Sequence, residues 1–208
     1  MLTSRLAFIG MPRTGGTFFR SLLKCIPGLE FWGKHGWGQH VPYRFLVERC
    51  QELGKDVPPS FVFMRNPYTY YVSAWCYHTM QSKWIVGMPF SMEFLEWHGG
   101  TPETHRWPHW TYSAMWEWME GDAATTIWKF EDYYGGIRHI LAATMGDLIS
   151  DDDVRKLLAE LPEKRVSKLP PHGERLSGYD PKCFWDSDMR RWLEERDGAL
   201  MKKQGYEL

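Results

Sequence analysis

The chain has 208 residues, and 25 basic against 26 acidic side chains leave a formal net charge of −1 at pH 7. This balance provides no overall attraction to nucleic acid or acidic membranes, so we expect neither as a partner. No apolar run reaches the ~18 residues of a membrane span, and the first predicted strand begins within a few residues of Met1, so we expect neither a membrane span nor a secretory signal. The length suits a single domain, residues 1–208, with a substantial core.

Short apolar strands alternate with helical patterns along the chain, which is typical of a three-layer α/β fold with a central parallel β-sheet flanked by helices. The predicted strands are 5–10, 29–32, 61–64 and 125–130. The predicted helices are 16–25, 43–53, 68–81, 91–97, 112–119, 135–144, 151–161 and 187–203. A loop is predicted over 162–186. No repeat or low-complexity linker divides the chain.

The cysteines and histidines predict no metal site. The four cysteines are scattered and form no C-x-x-C pair, a pattern typical of reduced thiols in a cytoplasmic protein. His98, His105 and His109 lie close in sequence, but Pro102 and a glycine pair break any shared helix, and Pro108 directly precedes the last of them. No acidic partner has a ligand-like spacing.

The first predicted strand leads through a glycine-bearing turn into a helix, a layout that aims backbone N–H groups at a phosphate. Against the P-loop pattern G-x-x-x-x-G-K-[ST], Gly10, Gly15 and Thr17 match, but Gly16 occupies the lysine position. A nucleotide kinase needs that lysine on the β- and γ-phosphates. The cation inside this turn is instead Arg13. The loop therefore predicts an anion site without ordinary ATP chemistry.

A second motif follows the strand at 61–64. Asn66 and Pro67 suit the N-cap and first position of the next helix. Arg65, at the strand's end, and Ser73, in the helix, are residue types that bind a second phosphate, by a bidentate fork and a short neutral donor respectively.

The two motifs together resemble those of sulfotransferases that use 3′-phosphoadenosine 5′-phosphosulfate (PAPS). The segment P-R-T-G-G-T at 12–17 is similar to the family's P-[KR]-[ST]-G-[TS]-T loop, which binds the 5′-phosphosulfate. R-N-P at 65–67, followed by V-S-A-W at 72–75, is similar to its 3′-phosphate motif. More loosely, K-F-E-D-Y at 129–133 resembles the family's Y-E-D-L, and the closing helix with G-Y resembles its last helix.

This resemblance implies a P-loop-like fold and an enzyme that moves the sulfuryl group from PAPS to an acceptor hydroxyl, without a metal, leaving adenosine 3′,5′-bisphosphate. The implied cofactor-binding residues are Pro12, Arg13, Thr14, Gly15, Gly16, Thr17, Phe18, Arg65, Ser73, Lys168 and Arg175. Arg13 replaces a common lysine and would stabilise charge on the bridging oxygen. Phe18 either stacks on adenine or packs in the core, and Lys168 and Arg175 either contact the 3′-phosphate or lie in a solvated loop.

The acceptor hydroxyl needs a general base, which the family places between its two phosphate motifs, usually as a histidine. His40 is preferred because H-V-P-Y-R leading into a helix resembles the H-x-x-Y-R of some small members. His35 follows closely, and Glu30 is a distant third. Each of the two histidines is alternatively a solvated loop residue.

Aromatic residues in the middle third of the chain predict an acceptor pocket. Trp107 and Trp110, flanked by proline, are the candidate substrate-binding residues, whereas 112, 116 and 119 have the spacing of a helix's core face. The expected partner is a small-molecule or glycan acceptor. Two other functions remain open: a nucleotide or small-molecule kinase with an altered P-loop, dependent on Mg²⁺ and ATP, and a nucleotide-binding protein without catalysis.

Overall fold

A computed structural model describes residues 1–33, 40–81, 87–99, 111–160, 168–169, 174–175 and 180–207. The chain divides into two compact units. The first combines Met1–Arg65 with Trp116–Lys164, and the second combines Asn66–Met115 with Arg165–Leu208. The single-domain organisation stays a prediction. Within the described ranges, no helix has both the length and the apolar character to cross a membrane.

The first unit contains a parallel three-stranded sheet of order β1-β2-β3, formed by β1 (Ala7–Ile9), β2 (Ser60–Met64) and β3 (Thr126–Lys129). In its register Phe8 lies opposite Phe61, and Val62 opposite Ile127. The α/β class and the parallel sheet are therefore confirmed, as are three of the predicted strands.

The predicted strand at 29–32 is wrong. Phe31 makes only an isolated antiparallel bridge with Thr3, and the Trp32 amide donates to the Leu2 carbonyl at 3.1 Å. The apolar run is short and lies between Gly28, at φ 72°, and Gly33, so it ends before a ladder can extend.

Eight helices lie in the described residues, and each matches a predicted one to within about two residues at either end. They are α1 (Gly16–Leu23), α2 (Tyr43–Glu52), α3 (Pro67–Gln81), α4 (Met92–His98), α5 (Tyr112–Met119), α6 (Tyr133–Met145), α7 (Asp151–Glu160) and α8 (Ser187–Lys203).

The predicted loop 162–186 needs correction. It contains two short antiparallel strands, β4 (Lys168–Leu169) and β5 (Glu174–Arg175), and a 3₁₀ turn at Pro181–Phe184. Strands of two residues have no sequence period, which is why the pattern missed them.

Alternating residues of β1 and β2 build the core of the first unit. Phe8, Phe61 and Phe63 share one face of the sheet, where they pack against Phe19 of α1 and Ile137 of α6 in one buried cluster. The Phe8 and Phe19 rings are 4.8 Å apart, edge to face. Because α1 is fixed to the sheet in this way, its first turn and the preceding loop are held beside the carboxyl end of β1.

Candidate functional site

The loop between β1 and α1 has an unusual backbone. Arg13 and Gly15 both adopt left-handed conformations, with φ of 59° and 71°. Glycine does so without strain, whereas a non-glycine residue at such an angle needs support from its surroundings. Strain of this kind is concentrated at functional sites, so the loop is a candidate by its conformation as well as its sequence.

Two loop carbonyls are held by donors at the start of the turn. The ring Nδ1 of His40 lies 2.6 Å from the Gly10 carbonyl oxygen. The buried Thr14 hydroxyl donates to the Met11 carbonyl at 2.7 Å. His40 therefore lies against the loop, where its hydrogen-bond partner is a backbone carbonyl.

Two further carbonyls are held from other strands and helices. Nη1 of Arg65, which follows β2, donates to the Arg13 carbonyl at 2.8 Å. The Tyr133 hydroxyl, at the start of α6, donates to the Gly15 carbonyl at 2.7 Å. Since the carboxyl ends of the parallel strands β1 and β2 meet at one edge of the sheet, Arg65 reaches the loop across a separation of 52 residues.

The first turn of α1 has no side-chain cap. Within the described residues, no backbone or side-chain hydrogen bond is donated by the amides of 14–17. Each of the other described helices has a side-chain acceptor on a first-turn amide. The acceptors are Glu120 for α2, Asn66 for α3, Ser91 for α4, Tyr71, Asp197 and Thr111 for α5, Asp132 for α6, Ser150 for α7 and Asp186 for α8. Among the described helices, α1 is thus the one whose first-turn amides have no side-chain acceptor, and it follows the predicted phosphate loop.

His40 has the tautomer that a base requires. A carbonyl oxygen only accepts, so Nδ1 must carry the proton in its bond to Gly10, and Nε2 then holds the lone pair. Burial lowers the pKa of His40 from its usual value, the bond to Gly10 opposes this, and Arg20 and Arg13 lower it further. The ring is therefore neutral at pH 7, with Nε2 able to accept a proton.

Arg65 supports the loop as well as occupying a predicted phosphate-binding position. Its guanidinium carbon lies 4.8 Å from the centroid of the Phe130 ring, in a cation–π arrangement. Together with its bond to the Arg13 carbonyl, this contact fixes the direction of the guanidinium. The sequence motif predicted an anion contact here and missed the bond to the loop backbone.

Tyr133 is a site residue that sequence reasoning missed. A Cβ added at Gly15 would lie 2.6 Å from Cζ of Tyr133, so the tyrosine ring occupies the space that the glycine leaves. Burial raises the pKa of the Tyr133 hydroxyl, which therefore remains a donor across the physiological range. Its position in K-F-E-D-Y was the available signal, but 118 residues separate it from Gly15.

The other predicted loop residues have varied surroundings. Thr17 is exposed in the first turn of α1, whereas Pro12 and Gly16 are half-buried. Phe18 is half-buried and makes edge contacts with Tyr133 and Tyr134, at centroid distances of 6.0 and 6.3 Å.

Of the remaining candidates, Ser73 is buried on α3 in the second unit. Lys168 and Arg175 lie opposite each other in the register of β4 and β5. Exposed Glu30 accepts a hydrogen bond from Trp32 Nε1 at 3.3 Å. His35, Trp107 and Trp110 lie outside the described residues.

The expected absence of a metal stays a prediction. Where the structure describes the chain, no group of three or more His, Cys, Asp or Glu side chains could hold a metal ion. His98 is buried in the second unit, where it stacks on Phe94 at a centroid distance of 5.5 Å. His105 and His109 lie outside the described residues. All four cysteines are free thiols.

Comparisons with protein-family models, curated proteins and solved structures find no match to this chain. The functional interpretation therefore depends on the two motifs and on the geometry of the loop.

Proposed function

We propose that the protein is a PAPS-dependent sulfotransferase with a P-loop-like fold, acting on a small-molecule or glycan hydroxyl. The observation that carries the proposal is the uncapped first turn of α1 behind a loop whose carbonyls are tied to the protein. The amides of residues 14–17 have no acceptor within the described part of the chain, and together with the positive end of the helix dipole they favour an anion at this position. The resemblance of P-R-T-G-G-T to the sulfotransferase loop supports a phosphosulfate as that anion.

The residues at the loop suit in-line sulfuryl transfer. The acceptor oxygen forms a bond to sulfur while the bond from sulfur to the bridging phosphate oxygen breaks, and adenosine 3′,5′-bisphosphate leaves with that electron pair. Nε2 of His40 takes the acceptor's proton, as its tautomer and lowered pKa allow. Arg13 stabilises the developing charge on the bridging oxygen, and because arginine stays protonated, its role is electrostatic.

The residues favour this reaction over phosphoryl transfer. A P-loop kinase uses a lysine at the position of Gly16 and a magnesium ion on the nucleotide phosphates. Sulfuryl transfer needs neither. Arg65 has the residue type and position of the family's 3′-phosphate contact, the group that distinguishes PAPS from ATP.

Thermal unfolding with added nucleotides tests the cofactor class. At about 100 times its dissociation constant, a ligand stabilises the folded state by about 2.7 kcal/mol, which corresponds to a rise in Tm of roughly 5–10 °C for a chain of this size. We expect this rise with adenosine 3′,5′-bisphosphate and not with ADP or with ATP and Mg²⁺. A rise with Mg-ATP alone would overturn the proposal in favour of a kinase.

Turnover separates an enzyme from a silent nucleotide-binding protein. Release of adenosine 3′,5′-bisphosphate from PAPS would be followed with sets of phenols, alcohols and sugars as acceptors. We expect acceptor-dependent release that is lost in His40→Asn. Strong bisphosphate binding without release on any acceptor would instead indicate a protein without catalysis.

A further inference from the structure

Tyr133 makes two contacts with the loop at a single residue. Its hydroxyl donates to the Gly15 carbonyl at 2.7 Å, and its ring lies where a Gly15 side chain would be. The ring is packed against Phe63 and Phe130, at centroid distances of 4.6 and 5.2 Å. Since aromatic packing limits the movement of the ring, the hydroxyl acts from a fixed position.

Holding a carbonyl also orients the amide that follows it. The C=O of one residue and the N–H of the next belong to one planar, trans peptide unit and point in opposite directions. The Gly15 carbonyl also accepts the Phe19 amide of α1 at 3.1 Å, so Tyr133 and this helical bond together direct the Gly16 N–H away from Tyr133. By the same geometry, the bond from Arg65 to the Arg13 carbonyl directs the Thr14 N–H.

We propose that Tyr133 is a positioning residue for the phosphosulfate loop, because its hydroxyl holds the Gly15–Gly16 peptide unit with the N–H directed toward the bound anion. This inference rests on the proposed function, since it takes the anion to be the phosphosulfate. Tyr133 acts through the Gly16 amide and takes no part in the chemical step. Preorganised amides cost no reorientation when the ligand binds, which is why losing the hydroxyl should lower affinity.

The test is Tyr133→Phe, which keeps the packed ring and removes the hydroxyl. The matched control is Thr144→Val, because the Thr144 hydroxyl also donates to a backbone carbonyl, that of Ile140 at 2.7 Å, on the same helix. Thr144 lies three turns further along α6, so its loss affects helix stability without touching the loop. The dissociation constant for adenosine 3′,5′-bisphosphate is measured by calorimetry, beside the Tm of each variant.

We expect Tyr133→Phe to weaken bisphosphate binding about fivefold to tenfold, the effect of one lost hydrogen bond, and Thr144→Val to leave it unchanged at a similar loss of Tm. Equal binding by Tyr133→Phe and wild type would overturn the inference and leave the proposed function standing. No binding of the bisphosphate by wild type would overturn both.

Amide NMR of the wild-type protein supplies a readout that does not depend on a variant folding. We expect the Gly16 amide proton to move downfield on titration with the bisphosphate, as it would on forming a bond to a phosphate oxygen. Binding without a shift of the Gly16 amide would contradict the inference.

Discussion

Helices α1 and α5 have eight residues each and begin in opposite ways. At α5, the Tyr112 amide donates to the Tyr71 hydroxyl at 2.8 Å and the Ser113 amide donates to Asp197 Oδ1 at 2.7 Å. Tyr71 in turn donates to Asp197 Oδ2 at 2.7 Å. At α5, therefore, one first-turn amide donates to the buried Asp197 carboxylate, and another donates to the hydroxyl that this carboxylate holds.

At α1 the N-cap is Gly15, which has no side chain to offer. The partial positive charge at the start of the two helices is the same, because it comes from the peptide dipoles. The chain supplies a compensating carboxylate at α5, whereas no described residue supplies one at α1, where the proposed function assigns that role to the bound phosphosulfate. The difference supports the proposed anion site at α1, since each of the other described helices has a side-chain acceptor on a first-turn amide.

The largest expected effect comes from His40, which has two roles beside the start of α1: the proposed general base and a hydrogen-bond donor to the loop. His40→Ala and His40→Asn should both lower sulfuryl transfer by about a hundredfold or more, since neither retains a base. The asparagine amide can still donate to the Gly10 carbonyl, so only the alanine variant should also lose stability. Turnover and Tm are measured on both. Wild-type turnover in His40→Asn would exclude His40 as the base.

The capped start of α5 is tested by Asp197→Ala. Its removal leaves the buried Tyr71 hydroxyl and the Ser113 amide without their acceptor, which should cost about 3 kcal/mol of unfolding free energy. Denaturant titration measures this loss. Asp197→Asn, which keeps the shape of the side chain, should cost less. A loss below 1 kcal/mol on the same scale would show that water replaces the carboxylate at α5.

Two glycines test how closely Tyr133 packs against the loop that precedes α1. Gly15 and Gly54 both have positive φ, 71° and 62°, but a Cβ at Gly54 would meet nothing within 4 Å, whereas at Gly15 it meets Tyr133. Gly54→Ala should cost about 1 kcal/mol from backbone strain alone. Gly15→Ala should cost about 2 kcal/mol more, because the ring must move. Urea denaturation of both variants gives the difference, and equal losses would contradict the close fit.

The smallest expected effect is a pH dependence. Burial lowers the pKa of His40 in the folded state, so the unfolded chain binds its proton first as the pH falls. The stability from neutral His40 is complete above the usual histidine value near 6.5 and declines below it. Wild-type Tm should therefore fall more steeply than that of His40→Asn over this range. Parallel pH profiles would show that His40 is solvated.

Local sequence patterns predicted most of the helices and strands. The helices and the three paired strands follow from apolar periodicity and from caps such as Asn66, whose Oδ1 accepts the Tyr68 amide at 2.9 Å. The strand predicted at 29–32 was wrong because this segment meets Leu2 and Thr3, which precede β1, in an isolated bridge and not in a ladder.

The site was less accessible to sequence reasoning. The loop and His40 carried recognisable residue types, and the preference for His40 over His35 stays a prediction because His35 lies outside the described residues. The contacts of Arg65 and Tyr133 with the loop backbone carry no residue signature, because any loop residue has a carbonyl. Such contacts appear only once distant segments are placed together.

Gly136 lets α6 pack close to the sheet and so influences the position of the loop between β1 and α1. A Cβ there would lie 2.5 Å from Cδ1 of Trp128 and 2.8 Å from Cε1 of Phe63, so α6 rests directly on the sheet. Tyr133 and Gly136 lie in the same first turn of α6. The distance between this helix and the sheet therefore sets how far the Tyr133 hydroxyl extends toward the loop. A larger residue at 136 would therefore push α6 away from the sheet and shift the Tyr133 hydroxyl relative to the Gly15 carbonyl. The substituted position itself would not contact the ligand.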